Sequence, residues 1–429
     1  MGSNHLCIAG FVGRLTYLVL VASMTGGCVN QSIGARPSPV LASPVTPTPI
    51  AVDKSPQPSV SPTPSATPLS LATIQRLNTQ VGFVAAWTGG GPGLARTIDG
   101  GRTWQKIAVP TARITTLRFI DANVGWAGGF IPRDIPQVAC QQAPPTAASP
   151  CYGVVLRTQD AGVTWQRTLL IPDYGTYADP VLQIQAVDGL RAWVLVLSCD
   201  PNLSATTGLS CPTEVRRTTD GGRTWTTLVH GSVVAIRFAT ATRGWLAIES
   251  SDGSFDVRLT NDGGTTWTTG LRRTMSGTVV GLDAADSQTA WVITQDGGYC
   301  SSSTCTKYEL VNTSDGGSTW SSLGNPKPTT GACFGGHLVG PLFASPTRGW
   351  LAENQGAGGA EVTTGLLQTE DGGRSWRCSS VPTNTYLVSA ADTTHVWVTS
   401  NRLGDESTTL YSSDDAGITW QVLDLRALS

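Results

Sequence analysis

From about residue 71 onward the chain carries short runs in which apolar and polar residues alternate, as in Ile114-Thr115-Thr116-Leu117-Arg118-Phe119 and Val233-Val234-Ala235-Ile236-Arg237-Phe238. A period of two puts one set of side chains on each face of a pleated strand, so each run predicts a half-buried strand. Some residues later an aromatic opens a second strand: Phe83, Trp126, Trp193, Trp245, Trp291, Trp350 and Trp397. An eight-residue pattern follows, first as Thr97-Ile98-Asp99-Gly100-Gly101-Arg102-Thr103-Trp104. It returns at Thr158–Trp165, Thr218–Trp225, Thr260–Trp267, Thr313–Trp320, Thr369–Trp376 and Ser413–Trp420. Every copy reads Ser/Thr, any residue, Asp, small residue, Gly, any, Ser/Thr, Trp. These residue types suit a tight turn between strands. The carboxylate accepts from backbone N–H groups just ahead of it, and the hydroxyl does so more weakly. Gly supplies a backbone conformation costly for a residue with Cβ, and the Trp buries its ring at the base of the turn. Each unit then holds four strands: A with the alternating run, B opening at the aromatic, C leading into the Asp turn, and D after its Trp.

A length of 429 residues would allow two or three ordinary domains, but repeats at a period of about 50 argue for one ring or array. The units predict an all-β fold, a seven-bladed β-propeller of four-stranded antiparallel blades over residues 71–429. Thirteen of the 14 Trp occupy the two repeating positions, leaving Trp87, and are expected to pack blade against blade. The first unit begins with strand A near Leu71 and the last ends with strand D near Leu425. Contiguous blades, closed into a ring by packing without an exchanged outer strand, are the expectation.

Ahead of the repeats, residues 1–27 read as a lipoprotein signal peptide. Arg14 precedes an apolar run, Leu15–Met24, that is too short to span a bilayer. Thr25-Gly26-Gly27-Cys28 resembles a lipobox, which would make Cys28 the lipidated first residue. Residues 28–70 complete the anchor: Pro recurs among Ser, Thr, Val and Ala, as in Ser61-Pro62-Thr63-Pro64. Such a segment cannot bury a core and is expected to be a disordered tether, reaching up to ~130 Å at roughly 3 Å per residue. The expected location is extracytoplasmic, lipid-anchored to a bacterial cell membrane.

Charged residues make up 14% of the chain, below the usual ~25%, in keeping with a turn-rich β domain. The net charge of −2 gives no reason to expect nucleic acid or an anionic membrane surface as partner. A membrane or cell-surface protein, or a cell-wall glycan, is the expected partner of a monomer. Two of the ten Cys lie in the leader. The other eight form an even set at short spacings, which in an exported protein reads as disulfides: Cys140/Cys151, Cys199/Cys211 and Cys300/Cys305, with Cys333 and Cys378 pairing by elimination. The four His (His5, His230, His337, His395) lack zinc-like spacing. Neither a metal nor a cofactor is expected.

In an up-and-down blade the A–B and C–D turns share one face and the B–C and D–A loops the other. From the strand B aromatic to the turn Trp the chain runs 39, 32 and 29 residues in blades 2, 3 and 5, against 21, 22 and 23 in blades 1, 4 and 7. The three long insertions each contain one of the local Cys pairs. Variable loops held rigid on a fixed scaffold are where binding surfaces form, so the face opposite the Asp turns is the predicted binding face. Candidate contacts are Trp87 beside Gly89-Gly90-Gly91, Tyr152, and Tyr174 and Tyr177 in Asp173-Tyr174-Gly175-Thr176-Tyr177. Phe130, Arg133, Tyr299, Phe334 and His337 are weaker additions. Asp99, Asp160, Asp220, Asp262, Asp315, Asp371 and Asp415 are read as structural residues of their own turns, because Asp-Gly-Gly lacks the later bidentate Glu of a calcium loop.

Ser/Thr-x-Asp-x-Gly-x-x-Trp resembles the Asp-box, or bacterial neuraminidase repeat, of sialidases, sortilin, some glucanases and the photosystem II assembly/stability factor family. Seven copies of a form close to Arg-Thr-x-Asp-Gly-Gly-x-Thr-Trp, together with the preceding Gly-Trp strands and a lipobox, look most like the last group, over about residues 71–427. That resemblance implies a non-catalytic extracytoplasmic propeller that binds a newly made membrane reaction-centre protein. The stapled insertions and the long Pro-rich stalk depart from the compact family pattern. A sialidase would need an arginine triad, a Tyr–Glu nucleophile pair and an acidic proton donor. Phe130-Ile131-Pro132-Arg133 is not the sialidase Arg-Ile-Pro motif, and Tyr308-Glu309 falls in strand C, where neighbours face opposite ways. No Gly-x-Ser-x-Gly or P-loop pattern occurs. The expected function is therefore a non-catalytic, membrane-anchored protein-binding scaffold; the alternative is a glycan-binding or sialidase-like glycoside hydrolase propeller. A carboxylate pair about 5–9 Å apart in an aromatic-lined channel mouth would mark the alternative, and an apolar or Arg-lined face the scaffold.

Overall fold

The computed structural model describes residues 69–428 apart from 89–90, 111–112, 133–150, 173–179, 199–210, 275–276, 297–306, 331–332, 334–336, 355–364, 380, 382–384 and 402–407. The leader, Cys28 and the tether up to residue 68 lie outside the described residues, as do Cys140, Cys199, Cys300, Cys305, Arg133, Tyr174, Tyr177, Tyr299 and Phe334. Cys151 is described in its backbone alone, as the first residue of a strand.

The described chain forms seven sheets, and in each the four blade strands A to D are hydrogen-bonded in chain order. This is the seven-bladed β-propeller that the repeats predict. Blade 1 has strand A at Ser70–Arg76, B at Gly82–Thr88, C at Gly91–Thr97 and D at Gln105–Ile107, all antiparallel. The A strands of blades 2 to 7 are Arg113–Phe119, Val181–Ala186, Val233–Phe238, Gly277–Ala284, His337–Phe343 and Thr385–Ala390. Each A strand contacts the A strand of the next blade, and that of blade 7 contacts that of blade 1. The A strands thus ring a central channel.

Closure is by packing plus a few bonds, as expected. The Thr408 N–H in strand C of blade 7 donates to the Leu69 carbonyl at 2.7 Å, and the Arg76 N–H donates to Ser389 Oγ at 2.8 Å. A last turn of 3-10 helix, Arg426–Leu428, sets Leu425 and Leu428 against Leu71, Ile74 and Trp397. One blade carries an addition to its four strands. Blade 6 has five strands, because Pro328–Thr330 pairs in parallel with its strand D, Trp376–Ser379. A segment of the blade 5 to blade 6 connection thereby covers the exposed edge of blade 6, a common remedy for an unpaired strand.

The core is divided. Seven main apolar clusters lie one at each boundary between blades, and the six strand B tryptophans are each 0% exposed. Two kinds of boundary alternate. Between blades 1 and 2, 3 and 4, and 5 and 6, the strand B aromatic lies flat on a Phe that ends the next strand A. The pairs are Phe83–Phe119, Trp193–Phe238 and Trp291–Phe343, with ring centroids 3.5, 3.8 and 3.5 Å apart. Opposite each Phe stands Gly125, Gly244 or Gly349, where a Cβ would sit 2.4 Å from the Phe ring.

At the other four boundaries Ala186, Ala284, Ala390 or Arg76 stands in place of the Phe, and an arginine lies over the tryptophan. Arg157 covers Trp126, Arg243 covers Trp245, Arg348 covers Trp350 and Arg76 covers Trp397, all within 5.3–5.7 Å of the ring centroid, a distance at which cation–π attraction operates. One polar acceptor links the two kinds: the carbonyl of the residue after the turn Asp. In two of the stacked boundaries it accepts from the indole, Trp193 Nε1 to Gly263 and Trp291 Nε1 to Gly372, both at 2.9 Å. In two of the arginine boundaries the guanidinium takes it, Arg348 to Ala416 at 2.8 Å and Arg243 to Gly316.

Candidate binding face and central channel

The face that carries the Asp turns is assembled almost entirely from local bonds. In blade 1 the Thr97 hydroxyl donates to Asp99 Oδ1 at 2.8 Å and accepts from the Gly101 N–H at 2.9 Å. Asp99 Oδ1 also accepts from the Thr103 N–H at 2.9 Å, and Oδ2 from the Thr103 hydroxyl at 2.6 Å. The same set recurs in the other six turns. Asp99 is held down at about 2 by the Thr103 hydroxyl and then by the Thr103 N–H. Asp262 sits at about 2 through the Thr266 N–H and hydroxyl, and Asp220 and Asp315 are lowered chiefly by the hydroxyls of Thr224 and Thr319. Carboxylates committed in this way serve the turn.

Both residues after each Asp have positive φ, 77° and 99° at Gly100 and Gly101. Ala161 and Ala416, at 65° and 64°, stand in the first of these places in blades 2 and 7, where a Cβ is strained.

A second ring of turns on this face escaped the sequence reading. Each A–B turn is closed by a short polar side chain that accepts backbone N–H groups two and three residues ahead: Asn78, Asp121, Asp188, Thr240, Asp286, Ser345 and Asp392. A fixed offset of five residues before the strand B aromatic is the signal that could have revealed it. The two rings are joined, because the N–H after each turn Asp donates to a carbonyl of its own blade's A–B turn, as from Gly100 to Gln80 at 2.8 Å and from Gly316 to Gln288 at 2.7 Å.

On the opposite face, Trp87 lies at the end of strand B of blade 1, its backbone paired with Ser70 and Pro92. Tyr152 follows the blade 2 insertion in strand C and is half-buried. His337 opens strand A of blade 6, near the buried Tyr308 of blade 5; the Tyr308 hydroxyl accepts from the Leu338 N–H at 3.1 Å. Burial pushes the His337 imidazole below its ordinary range. Glu309 points away and meets Arg273 at 3.7 Å, so Tyr308 and Glu309 form no pair around one reacting atom. Phe130 lies under the Arg113 guanidinium, 5.7 Å from its centroid.

Of the four expected disulfides, the described residues contain one in full. Cys333 and Cys378 are joined, with Cα atoms 5.5 Å apart, tying the connection into blade 6 to strand D of that blade. Cys211 is also disulfide-bonded. Cys151 opens strand C of blade 2 with its backbone paired to Pro132, but its side chain and the whole of Cys140 lie outside the described residues, as do both members of the expected Cys300/Cys305 pair. Among the described residues no group of three or more His, Cys, Asp and Glu side chains is placed to hold a metal ion.

Near the Asp-turn end of the channel, the next-to-last residue of each A strand forms a collar: Gln75, Arg118, Gln185, Arg237, Asp283, Leu342 and Ser389. Most of these bond to a neighbouring blade. Gln75 clamps the Phe119 backbone, accepting its N–H and donating to its carbonyl, both at 2.7 Å. Arg237 Nε lies 2.8 Å from Asp283 Oδ1, and Asp283 Oδ2 accepts from the Phe343 N–H at 2.6 Å. Burial pushes the Asp283 carboxyl up, opposed by the adjacent Arg237.

No protein-family model and no curated protein matches the chain. Among solved structures it is similar to YCF48 bound to a D1 peptide, at 18% identity and TM-score 0.47, over 83% of this chain and 93% of that one. It is also similar to the GH74 enzyme of Niastella koreensis, at 13% identity and TM-score 0.40, over 82% of this chain and 65% of that one. A prolyl endopeptidase structure matches at 12% identity and TM-score 0.55, over 83% of this chain and 50% of that one. At that identity the likeness to the peptidase speaks for the propeller fold alone.

Proposed function

We propose that this propeller is a non-catalytic scaffold, lipid-anchored outside the cytoplasm through Cys28, which holds a membrane or cell-surface protein on the face opposite its Asp turns. The observation that carries this reading is the unequal use of the two faces. On the turn face the polar side chains of both turn rings bond to their own backbone, while the strand ends that flank the three insertions lie on the other side, where the Cys333–Cys378 disulfide ties the connection into blade 6 to strand D. A fixed scaffold presenting variable, stapled loops is suited to recognition, since rigid loops lose less entropy on binding. The collar agrees with a scaffold over a glycosidase: two arginines face one aspartate there, whereas glycoside cleavage calls for two carboxylates. YCF48 has been captured with a D1 peptide, and a peptide segment of a membrane protein is the partner class that we assign to this chain.

The test is a pull-down from detergent-solubilised host membranes with the full chain as bait and a Trp87→Ala/Tyr174→Ala/Tyr177→Ala variant as control. A membrane protein retained by the parent and lost by the variant is the expected result. Retention on cell-wall or glycan arrays, with no protein partner, would overturn it and favour the glycan-directed reading.

A further inference from the structure

The collar contains one charge that the fold does not balance. Arg118, on strand A of blade 2, is electrostatically coupled to Arg237 of blade 4 and Asp283 of blade 5. Those blades do not adjoin blade 2, so the coupling runs across the channel. Arg237 has its counter-ion, with Asp283 at 2.8 Å, and bonds to the Ala284 carbonyl at 3.2 Å. Arg118 has neither: among the described residues it makes no hydrogen bond or ion pair, and its Nε is buried without a partner. Burial foremost, and then the like charge of Arg237, push the Arg118 guanidinium down to about 10. Arginine stays charged in proteins, so the site holds a cation that burial and a neighbouring like charge both disfavour.

An uncompensated guanidinium inside a polar ring is unfavourable unless something else supplies the negative charge. Chloride could offset the charge but would leave the planar donor fork poorly matched. An oxyanion matches it with two parallel N–H···O bonds. The other collar members, Gln75, Gln185, Leu342 and Ser389, are uncharged, so the described collar carries two positive charges against one negative.

We propose that Arg118 forms the floor of an anion site in the central channel, taking a small oxyanion of the carboxylate or phosphate class. The site lies at the Asp-turn end of the channel and involves none of the residues assigned to the binding face. Failure of either proposal therefore leaves the other standing.

The test follows thermal unfolding of the full chain at constant ionic strength while acetate or inorganic phosphate replaces chloride. It compares the parent with Arg118→Gln and with Arg102→Gln, which removes one positive charge from an exposed position on the same face. The parent and Arg102→Gln should show a saturable rise in melting temperature, and Arg118→Gln should lose it. In chloride alone Arg118→Gln should melt at or above the parent, because an unbalanced charge has been removed. Acetate and phosphate arms separate a carboxylate site from a phosphate site. An equal anion response in Arg118→Gln, no saturable response in the parent, or a lower melting temperature of Arg118→Gln in chloride would each overturn the proposal.

Discussion

The stacked and the arginine-covered boundaries solve one packing problem with different chemistry. Each must cover a buried strand B aromatic, and at four of the seven the carbonyl after the next turn's Asp is bonded across the boundary. Where a Phe ends the neighbouring strand A, the aromatic lies flat on it and the indole N–H of Trp193 or Trp291 reaches the carbonyl. Where no Phe stands there, a guanidinium covers the ring, and in two of the four cases, Arg243 and Arg348, it takes the carbonyl itself. The indole nitrogens of Trp126, Trp245 and Trp397 then have no partner among the described residues. A side chain's worth at such a boundary therefore depends on what its neighbour has left unsatisfied.

The largest expected effect comes from removing a stacking ring. Phe343→Ala leaves a void between Trp291 and Trp376 and should cost roughly 3–5 kcal/mol, read from denaturant unfolding. Arg348→Ala should cost less, about 1–3 kcal/mol for bonds left unmade. Trp350 Nε1 already lies 3.5 Å from the Ala416 carbonyl that Arg348 vacates, and can take it over. Equal losses in the two variants would show that the boundaries are interchangeable and that the distinction is geometric only.

Acid should strike the turns before the boundaries. Asp99, Asp262 and Asp415 have carboxyls lowered to about 2 in the folded chain, so the folded state binds fewer protons than the unfolded state. Their stabilisation is complete above about pH 4 and is lost as pH falls from there towards about 2. Melting temperature should fall across that window, with the amides of Thr103 and Thr266 losing hydrogen-exchange protection first. A melting temperature flat down to about pH 3 would show that the turn bonds contribute nothing net, as exposed charged groups sometimes do.

The smallest effect concerns left-handed alanine. Ala161→Gly relieves a strain of about 1–2 kcal/mol and returns about 0.4–1 kcal/mol to the unfolded chain. A rise in melting temperature corresponding to at most about 1.6 kcal/mol is expected; a fall would mean that the Ala161 methyl packs well enough to outweigh its strain.

The blade count and order were legible because Asp, Gly and Trp recur at fixed offsets. The A–B ring was harder to see, since Asn78, Asp121, Thr240 and Ser345 perform the same task with different side chains and only their position is constant. The boundary alternation is also written plainly, as Phe119, Phe238 and Phe343 against Ala186, Ala284 and Ala390. It acquires meaning only when each strand A is set against the preceding strand B, a contact between residues distant in sequence. Arg118 looked like one more outward polar residue of an alternating strand. Nothing in a linear pattern says that three such positions, from blades 2, 4 and 5, converge on one axis. The fifth strand of blade 6 is three residues long and includes Pro328, too short and too irregular for periodicity to mark.

A two-step alternation cannot be laid around an odd-membered ring without a fault. With seven blades, somewhere two boundaries of the same kind must be consecutive, as a frustrated pair arises in any odd cycle of alternating elements. Here the fault falls at the boundaries 6/7 and 7/1, both arginine-covered, and so coincides with the seam where first and last blades meet. The arginine at the seam, Arg76, comes from the blade that follows, whereas Arg157, Arg243 and Arg348 come from the blade that precedes. Placing the mismatch at the chain's own break leaves the other blades in register, and makes the seam the place where a blade could be gained or lost with least disturbance to the pattern.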